Sequence, residues 1–190
     1  MKKKIVICFI SCVCFLCAIG ITYYSYSKNV GDVFKTASLV VHPDDEEDFM
    51  GFNDHAFIGK VVSHLGSGEH IRGVNIDPYN LYEVEVIENI KGELKDKVVV
   101  ETSCGYDKYG NFHAFEIDGE VGELPEVGEE YIFMTITQES GNLLVDIPQT
   151  QIKVENKSGR RKGELINKYR RIYQNEKPYK RERLKTKYAK

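Results

Sequence analysis

The sequence predicts one mainly β domain with an amphipathic helix after it and a transmembrane or signal helix before it. Three observations lead there: apolar runs that alternate with a period of two, turn residues between those runs, and an uncharged apolar segment close behind Met1. A chain of 190 residues with 42% hydrophobic and 29% charged residues suits a single globular core with appendages. The natural division is residues 1–28 as signal anchor or signal peptide, 29–53 as an acidic connector, 54–154 as the β domain, and 155–190 as a basic helix and tail.

Lys2, Lys3 and Lys4 precede residues 5–24, which carry no charge. A helix needs about 20 apolar residues to cross a bilayer, and the flanking lysines stay on the cytoplasmic side. The length favours an uncleaved anchor over the shorter apolar region of a cleavable signal. Ser25 and Ser27 nevertheless stand two apart, as a signal peptidase requires, so cleavage before Lys28 is the alternative. Either way the domain is expected outside the membrane, tethered or secreted. A lipoprotein is disfavoured: Cys12 comes too early, and Cys17 follows Leu16 rather than a small residue. Cys8, Cys12, Cys14 and Cys17 all lie in this segment, which leaves Cys104 alone and the domain without an internal disulfide.

Residues 29–50 form a connector with a short helix expected over 33–39 and an acidic run at 44–48. Five strands follow, at 56–62, 81–90, 97–103, 131–137 and 143–147 continuing toward Val154. In the second, Tyr82, Val84 and Val86 alternate with Glu83 and Glu85, the pattern of one buried and one wet face. The fourth is apolar on both faces and should be central. Residues 91–93, 107–111 and 139–142 carry the turn chemistry between them. Strands without intervening helices imply a barrel or a sandwich. After Ser158 the period changes: Leu165, Tyr169 and Ile172 with Tyr173 take helical spacing, predicting an amphipathic helix that packs on the strands. Beyond Pro178 the chain is basic with little to bury, and a frayed tail is expected.

The run Phe57-Ile58-Gly59-Lys60-Val61, then Tyr82 to Val86 with Ile90-Lys91-Gly92, then Val98 to Thr102 with Ser103-Cys104-Gly105, then Val127 to Phe133, resembles the tissue-inhibitor-of-metalloproteinases-like, or netrin-like, domain family. The resemblance covers residues 54–154 and implies a five-stranded OB-like barrel with flanking helices. In that family's animal inhibitors a free N-terminal cysteine chelates the protease zinc and disulfides fix the loops around it. Neither is available here, so protease inhibition is not implied.

Several groups invite a chemical reading. Val40-Val41-His42-Pro43-Asp44-Asp45-Glu46 resembles the first motif of zinc-dependent N-acetylglucosamine deacetylases, which would give His42, Asp44 and Asp45 metal and base roles. That family sets the motif in an α/β sheet with further histidine ligands, whereas β segments follow here, so a solvated acidic connector is the plainer reading. Calcium at residues 44–48 lacks the spaced ligands and glycine of a helix-loop-helix site. Cys104 and His113 could pair as thiol and base, but nothing supplies an orienting third group. Tyr106, Tyr109, Phe112 and Phe115 form an aromatic group that serves either the core or a ligand-binding rim.

Charge divides sharply. Residues 30–151 carry 7 Lys or Arg against 25 Asp or Glu, a formal −18, while residues 152–190 carry 15 against 4, a formal +11. An acidic, extracytoplasmic β domain argues against nucleic acid. The basic end either folds back on the acidic body or attracts an anionic envelope polymer or lipid headgroups. The expected protein is a non-enzymatic extracytoplasmic binding module, without a cofactor, for a protein or an anionic envelope polymer. A zinc hydrolase and a purely structural surface protein are the other classes.

Overall fold

The computed structural model describes residues 31–36, 38–72, 75–154 and 159–190. The anchor or signal expectation falls on residues 1–28, outside the described residues. Among the described residues no helix is long and apolar enough to cross a membrane.

The protein is mainly β. In chain order the elements are β1 (Val33–Thr36), α1 (Glu46–Phe52), β2 (His55–Arg72), β3 (Asn75–Lys91), β4 (Lys97–Thr102), β5 (Gly105–Tyr106), β6 (Phe112–Ile117), β7 (Glu120–Val121), β8 (Glu130–Thr137), β9 (Leu143–Val145), a 3-10 turn (Pro148–Thr150), β10 (Gln151–Lys153) and α2 (Gly159–Gln174). The five expected strands are β2, β3, β4, β8 and β9. Their pairing closes on itself: β2 pairs β3, β3 pairs β4, β4 runs parallel to β9, β9 pairs β8, and β8 returns to β2. β8 also holds β10, so it has three neighbours, and its two apolar faces are buried in two separate cores.

Alternation sorts the side chains into two cores. Phe57 and Val61 of β2, Tyr82 and Val84 of β3, Val98 and Val100 of β4, and Tyr131 and Phe133 of β8 fill the inside of the ring. Gly59 leaves room for them, since a Cβ there would stand 2.4 Å from Val84 Cγ1 and 3.0 Å from the Phe57 ring. The other face of β2 and β8, with Ala56, Ile58, Ile132 and Met134, packs under α1 and α2 through Phe49, Met50, Tyr169 and Ile172. Register shifts between Ala56/Phe57, Ile58/Gly59, Val61/Ser63 and His64/Gly66 bend the β2–β3 hairpin. Bulges of this kind sharpen twist and let a sheet curl on itself. Gly92, Gly110 and Gly141, in the three expected turns, all take positive φ.

Four expectations need correction. Residues 33–36 are a strand, not a helix: β1 lies parallel to β6, and its backbone groups are satisfied across that pair rather than locally. The acidic run is not wholly connector, because Glu46, Glu47 and Asp48 form the first turn of α1, where carboxylates complement the helix dipole. The β2–β3 hairpin runs well beyond the apolar pattern, to Arg72 and Asn75, and β5, β6 and β7 form a second small sheet with β1.

The tail, finally, is docked rather than frayed. Lys177 N–H donates to Glu47 O, Lys95 N–H to Tyr188 O and Lys190 N–H to Glu93 O, and Leu94 forms an antiparallel bridge with Ala189. Arg181 and Arg183 converge on Asp54, whose side chain is 5% exposed, at 2.7 and 2.6 Å from its Oδ1. Lys168 with Glu46, Arg170 with Glu88, and Lys177 with Glu47 and Asp48 continue the pattern. The basic end therefore neutralises the acidic body to a large extent within one molecule.

Candidate ligand-binding cleft

A cleft of about 550 Å³ opens on the ring between the outer part of the β2–β3 hairpin, β4, β6 and the β8–β9 turn. Its floor is Glu101, an outward position of β4 that is only 4% exposed because the hairpin arm covers it. Glu101 Oε1 accepts from His70 Nε2 at 2.8 Å and from Gln138 Nε2 at 3.0 Å, which joins the arm to the β8–β9 turn through one carboxylate. The His70 ring stacks on Tyr79, with centroids 4.4 Å apart and planes at 25°.

Other contacts fix the arm. Buried Asn80 accepts from His64 Nε2 at 2.9 Å and donates to Cys104 O at 2.8 Å. A Cβ on Gly105 would stand 2.5 Å from the Asn80 amide nitrogen, so glycine permits this approach. Lys35 of β1 pairs with Asp77 at the cleft wall. Lys35 meets Asp77, and Glu101 meets two hydrogen-bond donors, so this part of the cleft offers directed donors and acceptors.

His113 also lines the cleft, and its Nε2 donates to Asp107 Oδ2 at 3.0 Å. Asp107 further accepts from the backbone N–H of Tyr109 and Asn111 and from the Asn111 side chain. Desolvation would raise its pKa, but the hydrogen bonds from Asn111 and His113 and from the two backbone N–H groups hold the carboxyl well below its usual range. His113 is thus committed to Asp107 rather than to Cys104. The Cys104 thiol donates to Glu123 O at 3.6 Å, and burial pushes its pKa up to about 11, the reverse of what a thiolate nucleophile needs.

The four aromatic residues do not form one cluster. Tyr106 and Phe112 are in contact, with centroids 5.1 Å apart, and Tyr106 and Tyr109 are 62% and 51% exposed. Phe115 instead packs against the helix-covered core and lines the cleft. The metal trio is also rearranged. His42 Nδ1 lies 3.5 Å from Asp44 and its Nε2 3.1 Å from Asp118, while Asp45 takes the N-cap position of α1. His42, Asp44 and Asp118 are exposed and close enough to share an ion, but the imidazole turns a different nitrogen to each carboxylate. One ion can use only one of those nitrogens, which weakens the fit to the deacetylase motif.

Sequence reading did not single out Glu101, His70 or Gln138. Glu101 sits where β4 alternation places an ordinary solvent-facing acid, and nothing local marks the covering arm.

Fold and cleft together define a mainly β domain with a walled, polar recess on one side of a ring-like sheet. The chain matches no protein-family model, and the search of curated proteins finds no relative.

Proposed function

We propose that this is an extracytoplasmic, non-enzymatic protein-binding module built on an OB-type barrel, held at the outer face of a membrane by residues 1–28 or released after cleavage before Lys28. The ring order β2-β3-β4-β9-β8, with β4 and β9 parallel, supports the OB reading and agrees with the resemblance to the netrin-like family. In OB barrels the ligand lies between the connection of the first two strands and that of the last two. Here those are the hairpin arm and the turn at 138–142, and the single observation that carries the proposal is the cleft that they wall over Glu101.

A protein ligand suits this cleft better than an anionic polymer. Lys35 on its wall is already paired with Asp77, and much of the basic tail is spent on Asp54, Glu47 and Asp48. Hydrogen-bonding side chains on a rigid sheet are the means by which proteins recognise peptide and side-chain groups.

A photo-crosslinking residue at Ser140, on the cleft wall, tests this in the full-length chain in its own membrane. The expected result is a protein adduct that is lost in a Glu101→Gln background and is not formed from exposed Ile87. Equal adducts from Ile87, or an adduct to a polyanionic envelope polymer from Lys180 alone, would sink the proposal.

A further inference from the structure

The aromatic turn between β5 and β6 plays no part in the cleft, and it stands where the chain enters the domain. Gly31 N–H donates to Asn111 Oδ1 at 2.8 Å, and Phe112 N–H donates to Asp32 Oδ1 at 3.3 Å, so the first described residues lie against this turn. We propose that the turn and the outer face of the small sheet rest on the lipid headgroup layer, with Tyr106, Tyr109, Phe112 and Phe34 as the membrane-facing side chains. The proposal rests on the tethered form of the reading above, in which residues 1–28 are kept, and not on the cleft.

Alternation separates this face from the cleft. On β6, His113 and Phe115 line the cleft, so Phe112 points the other way. Its ring meets that of Tyr106, its partner in register, with centroids 5.1 Å apart. On β1, Lys35 lines the cleft and Phe34 points away from it. Tyr106, Tyr109 and Phe34 are 62%, 51% and 46% exposed. A lone apolar side chain on a surface needs no explanation, but several aromatic ones on one sheet face and its turn mark a contact surface. The turn is also preorganised: Asp107 accepts from the backbone N–H groups of Tyr109 and Asn111, and Gly110 takes a φ of 85°. Little conformational freedom is therefore lost when Tyr109 meets a partner.

Chain length and chemistry select a lipid surface as that partner. Gly31 follows Tyr24, the end of the apolar segment, by seven residues, which span at most about 25 Å even when fully extended. A chain that leaves the bilayer near Tyr24 thus keeps this turn close to the membrane surface. Tyrosine suits the headgroup layer because its ring buries while its hydroxyl stays wet, and a lysine beside it can keep its ammonium in water. Lys108 is that lysine, with Nζ 4.9 Å from the centre of the Tyr109 ring. Asp32 and Glu69, which accept from the backbone N–H groups of Phe112 and Lys108, add negative charge here. The attraction is therefore apolar rather than toward anionic headgroups, and salt should leave it intact.

The test is photo-crosslinking of the full-length chain reconstituted in phosphatidylcholine vesicles, with benzoylphenylalanine placed in turn at Phe15, Tyr106, Tyr109 and Ile87. Phe15 reports the tether itself. Ile87 is 48% exposed and lies seven residues along β3 from Asn80, which bonds Cys104 O just before β5, a separation of roughly 23 Å. Phospholipid adducts are expected at Phe15, Tyr106 and Tyr109. The yield at the two tyrosines should exceed that at Ile87 about tenfold, the scale set by burying one aromatic side chain, and should not change at high salt. A lipid adduct at Phe15 with none at Tyr106 and Tyr109, or with equal yield at Ile87, would overturn the proposal and leave the tether standing. Adducts from Tyr106 to a second copy of the chain in place of lipid, or lipid adducts lost at high salt, would overturn it as well. No lipid adduct at Phe15 would remove the tether reading and this proposal with it.

Discussion

Phe133→Ala should lower the unfolding free energy by about 3–5 kcal/mol, the usual loss when a buried phenylalanine is cut to alanine and its cavity cannot collapse. Phe133 has no exposed surface, and its ring lies 5.4 Å from that of Phe57 and 5.6 Å from that of Tyr131, centroid to centroid. It stands on β8, the strand that touches β2, β9 and β10. Relaxation that filled the space would have to move strands held on both sides. Domains of this size are stable by about 5–15 kcal/mol, so the variant should sit near the edge of folding. Urea titration of the two proteins reads the difference directly. A loss under about 1 kcal/mol would mean that the ring interior is not packed as described.

Asp54→Ala should cost about 3 kcal/mol and free the end of the chain. Removing one partner of a buried ion pair leaves the other charges uncompensated, at a typical cost of about 3–5 kcal/mol. The lower end applies because Arg183, at 37% exposed, keeps part of its hydration, whereas Arg181 is 19% exposed. Asp54 Oδ2 also accepts from Thr137 N–H at 2.8 Å, so β8 loses a bond as well. Gly51→Ala gives a charge-free check, since its Cβ would stand 1.8 Å from the Lys177 carbonyl oxygen and must push the same segment away. Limited proteolysis should cut after Pro178 in both variants and spare the parent.

The Asp54 contribution also has a pH signature. Desolvation alone would raise its pKa, but hydrogen bonds from Arg181, Thr137 N–H and Arg183 reverse this and leave it below the ordinary 3.8. The unfolded chain therefore takes up the proton first, and the stabilisation is whole above that value and lost as pH falls through the folded pKa. Parent and Asp54→Ala stabilities should converge in acid and diverge toward neutrality. A constant difference across that range would show that the carboxylate charge is not what holds the tail.

How much of this was legible beforehand depends on how local the signal is. Tyr82, Val84 and Val86 announce a strand because alternation is written in adjacent residues, and the apolar faces of residues 131–137 announce a central strand for the same reason. Leu165, Tyr169 and Ile172 likewise announce α2. The outer hairpin, with Ser63, Gly66, Ser67 and Gly68, has no such pattern, because it pairs with itself outside the core. β1 was misread for a related reason, since a parallel partner some 80 residues away leaves no trace in its own four residues.

The sequence by itself determined a mainly β body, the turns at Gly92, Gly110 and Gly141, the packed C-terminal helix, and a body and tail of opposite charge. Only the tertiary structure decided where that charge goes and which polar groups face one another. Glu101 with His70 and Gln138, and Asp54 with Arg181 and Arg183, join residues far apart in the chain. A charged side chain carries the same local signature whether it meets water or a buried partner, and the difference arises only when another part of the chain closes over it.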